Sequence, residues 1–374
     1  MRPRLTMESK VQLLALLLFM STVQACGETA DPTPPAGAPV FIEPFLTLEE
    51  WEGSGAPDER PYFYKPNSVA IDDDGEIYVL DAGNQRVVVF DFDGNVVRQF
   101  GRRGDGPGEF TLGLDWGDSI QLAENGVIVL EQDMNRVQVL DRSGEPITGF
   151  SYSRVATSMY SDGRLIYLCV TPINAGAPTV AVYTSAGVME REFGSGFLDR
   201  TSPRIHALNR NLIAVSRDGV VKQAFNSWPM IRTFAPESDS YQDRWYDFSW
   251  WGDPGLSSYF TYGHGEAVLH GLQAGETSSL PARVRVFWDI EFVEGPSVWM
   301  TLSHKGGSNR LSIVQVFADN GDPLQSYRLL PETEDEEGNV PWPIDIGVSP
   351  SGRIMCAVDF SLSVVRCYQV PATR

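Results

Sequence analysis

The chain has 374 residues, of which 42% are apolar and 11% aromatic, so it can bury a substantial core and disorder throughout is excluded. Its formal net charge of −20 argues against phosphate backbones as partners, and we expect no nucleic acid ligand. The 35 Gly and 25 Pro residues indicate many tight turns and favour β structure.

Residues 1–26 have the pattern of an export signal. Basic residues precede the apolar run VQLLALLLFM, small residues follow it, and the run is too short for a comfortable membrane span. The tetrapeptide VQAC resembles a bacterial lipoprotein signal, which implies that Cys26 is lipidated and becomes the new N-terminus. Cleavage by an ordinary signal peptidase is the alternative. We therefore expect an exported protein of the cell envelope, in the periplasm or at the outer membrane, with a lipid anchor in the membrane.

The next two segments lead into the folded part of the chain. Residues 27–40 are rich in Pro and small side chains, which is typical of an extended, flexible tether. Residues 41–50, FIEPFLTLEE, look like a single strand that has no repeat unit of its own.

A repeat dominates the rest of the sequence. Four glycines are each followed six residues later by an aromatic residue, in the pairs Gly94 and Phe100, Gly144 and Phe150, Gly187 and Phe193, and Gly321 and Tyr327. Apolar runs such as RVVVFDFDG and VQVFADNG end at these glycines, and two further short apolar runs precede most of them. Each unit therefore contains four short strands.

A period of about 40 to 50 residues with four strands per unit predicts the blades of a β-propeller. The predicted blades are 67–110, 117–150, 151–194, 202–236, 286–330 and 343–370. The last unit shows only three strands, and we expect residues 41–50 to complete it. This pairing closes the ring and removes two exposed sheet edges. The predicted fold is all-β, a six-bladed β-propeller of four-stranded antiparallel blades, closed by the N-terminal strand and carrying an insertion at 237–285.

The first unit resembles an NHL repeat. Its sequence SVAIDDDGEIYVLDAGNQRVVVFDFDGNVVRQFG, followed by GDGPGEF, is similar to a nearly complete copy, and NRVQVLDRSG in the second unit is similar to part of one. The chain as a whole resembles the bacterial exported six-bladed β-propeller proteins. The recurring polar residues Asp81, Asn84, Arg86, Asn135 and Arg136 are interpreted as scaffold, because Asp and Asn cap turns and Arg can tie neighbouring blades.

The starts of the six inner strands are expected to surround the mouth of the central channel. These positions are Asn67, Asp118, Ser158, His206, Asp289 and Asp345. Four of them, Asn67, Asp118, Asp289 and Asp345, supply oxygen ligands that suit Ca²⁺, and gluconolactonase-like propellers bind a metal in that place. The alternative is that water and backbone satisfy these groups.

The insertion is dense in aromatic residues. As a ligand site it supplies flat faces for a sugar, a peptide or an apolar ligand, and as a cap it seals the channel. The predicted ligand-binding residues are Trp245, Trp250, Trp251, Tyr259, Tyr262 and His206.

Binding without catalysis is the leading functional hypothesis, with a protein, peptide or carbohydrate as ligand. The alternative is a metal-dependent propeller enzyme, a lactonase-like hydrolase or a lyase, with a cation in the channel. The histidines show no short metal-ligand spacing, although NHL-like lyases that hold zinc with histidines from separate blades are similar in this respect. A third hypothesis makes the disc a rigid platform in an envelope assembly.

The cysteines report on the compartment. Cys356 and Cys367 lie in neighbouring predicted strands of the last blade, where the hairpin register can place them opposite each other, and an oxidising periplasm permits a disulfide between them. Cys169 lies in an apolar strand and is interpreted as a buried thiol.

Overall fold

The computed structural model describes residues 39–50, 60–113, 117–124, 126–172, 174, 176–196, 210–246, 286–305, 311–330 and 341–372. The predicted signal with Cys26, most of the tether, the insertion beyond residue 246, and the residues His206, Trp250, Trp251, Tyr259 and Tyr262 lie outside them. A search of the described ranges finds no helix with the length and apolar character of a membrane span.

The strands form six sheets. In chain order, the N-terminal segment contains β1 (Val40–Ile42) and β2 (Pro44–Leu48), blade one contains β3 (Pro66–Ile71), β4 (Ile77–Asp81), β5 (Arg86–Phe90) and β6 (Val96–Phe100), and blade two contains β7 (Ser119–Ala123), β8 (Gly126–Glu131), β9 (Arg136–Leu140) and β10 (Pro146–Ser151). Blade three contains β11 (Ala156–Ser161), β12 (Leu165–Val170), β13 (Val180–Thr184) and β14 (Met189–Phe193), and blade four contains β15 (Asn211–Val215), β16 (Val221–Phe225), β17 (Met230–Phe234) and β18 (Tyr241–Trp245). Blade five contains β19 (Phe287–Val293), β20 (Val298–Lys305), β21 (Leu311–Phe317) and β22 (Pro323–Leu329), and blade six contains β23 (Pro343–Val348), β24 (Ile354–Asp359) and β25 (Val364–Gln369).

The six sheets form a closed ring. Neighbouring strands within each blade are antiparallel, and the inner strands β3, β7, β11, β15, β19 and β23 each lie against the next, with β23 packing against β3. The middle strands β4 and β5 are buried along their whole length because blades cover both of their faces, which explains their continuous apolar sequence. The prediction of a six-bladed β-propeller is confirmed.

The N-terminal segment closes the ring. Strand β2 pairs antiparallel with β25, so that Leu46 lies opposite Cys367, and it supplies the fourth strand of blade six as predicted. In addition, β1 pairs in parallel with β22, which makes blade five a five-stranded sheet and joins two blades through one segment. Cys356 and Cys367 face each other in β24 and β25 and form a disulfide within the closing blade.

The spacing between the repeated Gly and aromatic residues has a structural cause. Each of the four glycines adopts a positive φ in the turn, and the outer strand that follows contains a bulge at the third residue after it. The aromatic residue then packs against the turn of the next blade. A Cβ at Gly144 would overlap the ring of Phe100, and a Cβ at Gly187 would overlap Phe150.

Blade four extends further than the repeat predicts. Residues 241–245 were assigned to the insertion, but they form β18 and pair with β17 as the outer strand of this blade. The turn before β18 uses Glu237 in a left-handed conformation (φ 56°) in place of Gly, so that an alignment on glycines misses it. Trp245, predicted to bind a ligand, lies within this strand with its ring 6.3 Å from that of Trp228. Tyr246 packs on Phe317 and donates a hydrogen bond to the carbonyl of Gly321, linking blade four to blade five.

Candidate functional site

The inner strands place a ring of equivalent residues around the axis. Ser158, Asp289 and Asp345 each follow a bulge at the start of the inner strand. Ser158 and Asp345 lie opposite the second-last residue of the second strand, and Asp289 lies opposite Leu302, three residues before the end of the longer β20. In blades one and two, Ser68 and Ser119 occupy this position by their cross-strand partners, rather than the predicted Asn67 and Asp118. A shift of one residue matters because successive side chains of a strand point in opposite directions.

The carboxylates of this ring hold neighbouring blades together. One oxygen of Asp289 accepts a hydrogen bond from the backbone N–H of Ile346 (2.9 Å), and one oxygen of Asp345 accepts one from Val69 (2.8 Å). Ser68 plays the same part in blade one, where its hydroxyl oxygen accepts the N–H of Ile120 at 3.2 Å. These positions therefore contribute to ring assembly.

Asn67 and Asp118 form a separate buried pair. The amide nitrogen of Asn67 lies 3.5 Å from Oδ2 of Asp118, which also accepts the backbone N–H of Gly113 at 2.7 Å. Oδ1 of Asp118 accepts the backbone N–H of Gln132 at 2.7 Å. Burial raises the pKa of Asp118 to about 7, and these backbone hydrogen bonds offset part of the rise. Asp118 therefore anchors the loops at the start of blade two.

A hydrogen bond crosses the central axis two residues further along the inner strands than the ring of Ser and Asp residues. The amide of Gln121 on β7 donates to the carboxylate of Glu291 on β19 at 3.2 Å, although blades two and five lie on opposite sides of the disc. Burial and the charges of Asp289 and Asp345 raise the pKa of Glu291 well above its usual value, and burial next to Glu291 raises that of Tyr160. The hydrogen bond between Gln121 and Glu291 therefore spans the central axis.

The four predicted calcium ligands are thus divided between a loop anchor and the axial ring. Within the described ranges, no three His, Cys, Asp or Glu side chains are placed so that they could hold a metal ion. The assignment of calcium to Asn67, Asp118, Asp289 and Asp345 stays a prediction.

A group of aromatic residues and one lysine lies where the chain enters the inner strands of blades one and six. We call it the loop-face platform, and it consists of Tyr62, Tyr64, Lys65, Trp342 and Phe360. Tyr62 and Tyr64 keep 44% and 45% of their surface exposed, whereas Phe63 between them is buried against Phe90. Large aromatic surfaces are rarely left in water without a reason when they cluster.

The polar residues of the NHL repeat hold the first half of the platform. A carboxylate oxygen of Asp81 accepts the N–H of Tyr64 at 2.8 Å, and Arg86 and Asn84 donate to the carbonyl of Tyr62 at 3.1 and 3.0 Å. Arg86 also pairs with Asp81 at 2.9 Å. Burial raises the pKa of Asp81, and its hydrogen bonds from Tyr64, Asn84 and Arg86 offset part of that rise.

Blade six repeats this arrangement, with Trp342 in the place of Tyr64. A carboxylate oxygen of Asp359 accepts the N–H of Trp342 at 2.6 Å, as Asp81 does for Tyr64. The Trp342 ring stacks on His304 with centroids 4.4 Å apart, and His304 is fixed by the carbonyl of Pro343 and the hydroxyl of Ser312. The ring of Trp342 is therefore supported by His304, and the residue as a whole is half-buried.

Lys65 lies between the two halves. It adopts a left-handed conformation (φ 52°), which is uncommon for a residue other than Gly. Its N–H donates to the hydroxyl of Ser363 in blade six at 3.1 Å, and its ammonium lies 5.2 Å from the centroid of Phe360 and 6.0 Å from that of Tyr64. The ammonium is thereby kept over aromatic faces.

Sequence reasoning did not single out the platform residues. Tyr62, Tyr64, Lys65 and Trp342 precede the predicted repeat units, and Phe360 lies in a turn within the sixth unit. A signal was nevertheless present, because the acid that ends the second strand of an NHL-like blade binds the N–H of one residue in the segment before the inner strand. That residue is Tyr64 in blade one, Thr111 in blade two and Trp342 in blade six.

Comparison with known proteins supports the fold. The family model described as NHL repeat matches residues 63–90. A DUF4221 family member from Bacteroides vulgatus is similar over 88% of this chain and 97% of its own, with 10% identity and a TM-score of 0.53. A chain of the Mitotic Checkpoint Complex is similar over 92% and 97%, with 10% identity and a TM-score of 0.51. Virginiamycin B lyase from Staphylococcus aureus is similar over 88% and 89%, with 10% identity and a TM-score of 0.47.

At such low identity these likenesses concern the fold alone. The two likenesses with TM-scores above 0.5, the closed ring of six sheets and the matched segment in the first blade lead to one conclusion. The chain is a six-bladed β-propeller that carries an NHL repeat.

Proposed function

We propose that this protein is an exported, lipid-anchored β-propeller that binds a ligand or a protein on its loop face. The observation that carries the proposal is the loop-face platform, where Tyr62 and Tyr64 are exposed, Trp342 is half-buried, and hydrogen bonds engage the backbone of all three. Rigid aromatic anchors bind at low entropic cost.

The axial hydrogen bond fits the same proposal, because the contact between Gln121 and Glu291 spans the axis and a ligand held on the loop face need not pass through the disc. Export and anchoring rest on the signal pattern and on Cys26. The enzymatic alternative is not favoured, because the likeness to a lyase is limited to 10% identity and carries no argument about chemistry.

The binding proposal is tested by retention of envelope components on immobilised protein. Polysaccharide, peptidoglycan and protein fractions are passed separately over the wild-type protein, the double variant Tyr64→Ala/Trp342→Ala, and the control Phe45→Ala. Phe45 is 42% exposed and lies on β2, the outer strand of blade six, whereas Trp342 precedes the inner strand of that blade and Phe360 lies in the turn between β24 and β25. We expect the double variant to lose a fraction that the control retains, and equal retention by all three proteins would refute a loop-face site.

Anchoring is tested separately. Wild-type protein is expected to incorporate labelled palmitate and to fractionate with membranes, and Cys26→Ala is expected to do neither. Equal membrane recovery of both proteins without label would contradict lipidation at Cys26.

A further inference from the structure

The platform offers side chains and almost no backbone to a ligand. The N–H groups of Tyr64, Lys65 and Trp342 are donated to Asp81, Ser363 and Asp359, respectively. The carbonyl of Tyr62 accepts from Asn84 and Arg86, and that of Tyr64 accepts from Gly83 at 2.8 Å. A peptide bound here would find few partners for its own backbone, in contrast to peptides that add to a sheet edge.

The exposed rings are fixed in place. Gly83 lies directly beneath Tyr64, and a Cβ at Gly83 would overlap both the ring and the carbonyl of Tyr64. Trp342 is backed by His304, whose own ring contacts Trp288 at 5.2 Å. Flat, immobile rings with phenolic hydroxyls at their tips fit a ligand that itself consists of flat apolar faces edged by hydroxyl groups.

The ammonium of Lys65 adds a charge requirement. Among the described residues, no carboxylate oxygen lies within ion-pair distance of it, and its contacts are the rings of Phe360 and Tyr64. A chain with a net charge of −20 has many acids available, yet this lysine stands over aromatic faces at the exposed site. An anionic group on the ligand would complete its coordination.

We propose that the loop-face platform binds an acidic saccharide, in which sugar rings stack on Tyr64 and Trp342 and a carboxylate pairs with Lys65. The inference rests on the proposed loop-face binding and names its ligand class. Backbone groups that are already engaged, fixed ring faces and one cation that has no acidic partner among the described residues together favour a carboxylated sugar over an acidic peptide.

The probes are tetragalacturonate, its fully methyl-esterified form and tetraglutamate, titrated calorimetrically against the purified protein. We expect tetragalacturonate to bind at least tenfold more tightly than the ester or the peptide. Lys65→Met should reduce the affinity for tetragalacturonate to that of the ester and leave the ester unaffected, and Lys65→Arg should restore binding. Trp342→Ala should weaken both sugars, and Phe45→Ala neither.

The outcomes separate this inference from the broader proposal. Equal affinity for tetragalacturonate and its ester, or no effect of Lys65→Met, would overturn the acidic saccharide assignment. If the ester or the peptide still bound in a manner sensitive to Trp342→Ala, loop-face binding would stand while the ligand class failed. Absence of binding by all three probes would also overturn the assignment, and the retention experiment would then decide on the loop face alone.

Discussion

Blades one and six flank the platform and solve the same structural problem by different means. In blade one, Asp81 holds the N–H of Tyr64 and its charge is balanced by Arg86 at 2.9 Å. In blade six, Asp359 holds the N–H of Trp342, but Arg366 is 3.8 Å away. The other oxygen of Asp359 accepts hydrogen bonds from the N–H groups of residues 361 and 362 and from the hydroxyl of residue 361.

Blade one is also contiguous in sequence, whereas blade six combines both ends of the described chain and contains a disulfide. Tyr64 and Trp342 therefore occupy equivalent positions in the two blades, but different interactions balance the acid that holds each of them. The repeat motif of blade one depends on an ion pair, and blade six depends on local hydrogen bonds and a covalent link.

The largest expected effect is in blade one. Arg86→Ala leaves Asp81 buried without its cation and should lower the free energy of unfolding by about 3 to 5 kcal/mol, as for other broken buried ion pairs. Because burial raises the folded-state pKa of Asp81, the loss should be smaller at pH 5 than at pH 8. Urea unfolding at both pH values measures it.

Arg136→Ala is the matched control for that variant. Arg136 pairs with the buried Glu131 at 2.7 Å in blade two, which displays Thr111 instead of an aromatic residue. The free energy of unfolding of Arg136→Ala should fall by about as much as that of Arg86→Ala, and this variant should still bind at the loop face. If Arg86→Ala cost less than 1 kcal/mol, the idea that blade one depends on its ion pair would be wrong.

A smaller effect is expected from the disulfide of blade six. Cys356 and Cys367 are separated by 11 residues, and the chain-entropy model for such a loop predicts a loss of about 2 to 3 kcal/mol for Cys356→Ala/Cys367→Ala. Unfolding of the wild-type protein with and without reductant should show the same difference, while the double variant should be insensitive to reductant. A reductant effect that persists in the double variant would contradict this assignment.

The axial ring gives a third test, because blade one has Ser68 where blade six has Asp345. Burial, with the charge of Asp289, raises the pKa of Asp345 well above its usual value. A raised folded-state pKa stabilises the protein below the unfolded-state pKa near 4, and this contribution is lost as the pH rises through the folded value.

The free energy of unfolding of Asp345→Ser should therefore rise relative to that of the wild type as the pH is raised from 5 to 8, by on the order of 1 kcal/mol. Asp289 and Glu291 keep raised pKa values, so the pH dependence should weaken without disappearing. Urea denaturation of both proteins at pH 5 and pH 8 is the measurement. If the variant became less stable relative to wild type as the pH rose, the proposed role of the raised pKa would be wrong.

The smallest effect is expected for Arg366→Ala. Because backbone and hydroxyl donors already satisfy Asp359, removal of Arg366 should cost no more than about 1 kcal/mol. A loss as large as that of Arg86→Ala would show that both blades depend on the same ion pair, and the contrast between them would disappear.

The fold could be predicted from sequence because its determinants are local. Turn glycines, apolar runs and the Gly to aromatic spacing recur within each unit, and the unpaired strand 41–50 had one sheet left to complete. The blade four boundary failed where Glu237 replaced Gly at a left-handed position. Bulges at the starts of inner strands, such as the one before Ser68, moved the axial position away from Asn67.

The site was harder to predict because it is assembled across blades. Lys65 meets Phe360 and Ser363, which lie almost 300 residues away in the chain. Gln121 meets Glu291 through the centre of the ring. No spacing within one repeat encodes such contacts, since they depend on how far each blade is rotated relative to its neighbours.

The way the N-terminal strand closes the ring also constrains how the protein is made. Strand β2 has no sheet to join until residues 364–369 have emerged from the ribosome, so the last blade cannot form during most of synthesis. Loop closure over such a separation is slow, which leaves the nascent chain incompletely folded for longer. Truncation of the last strand, β25, would expose the edges of β2 and β24 at once.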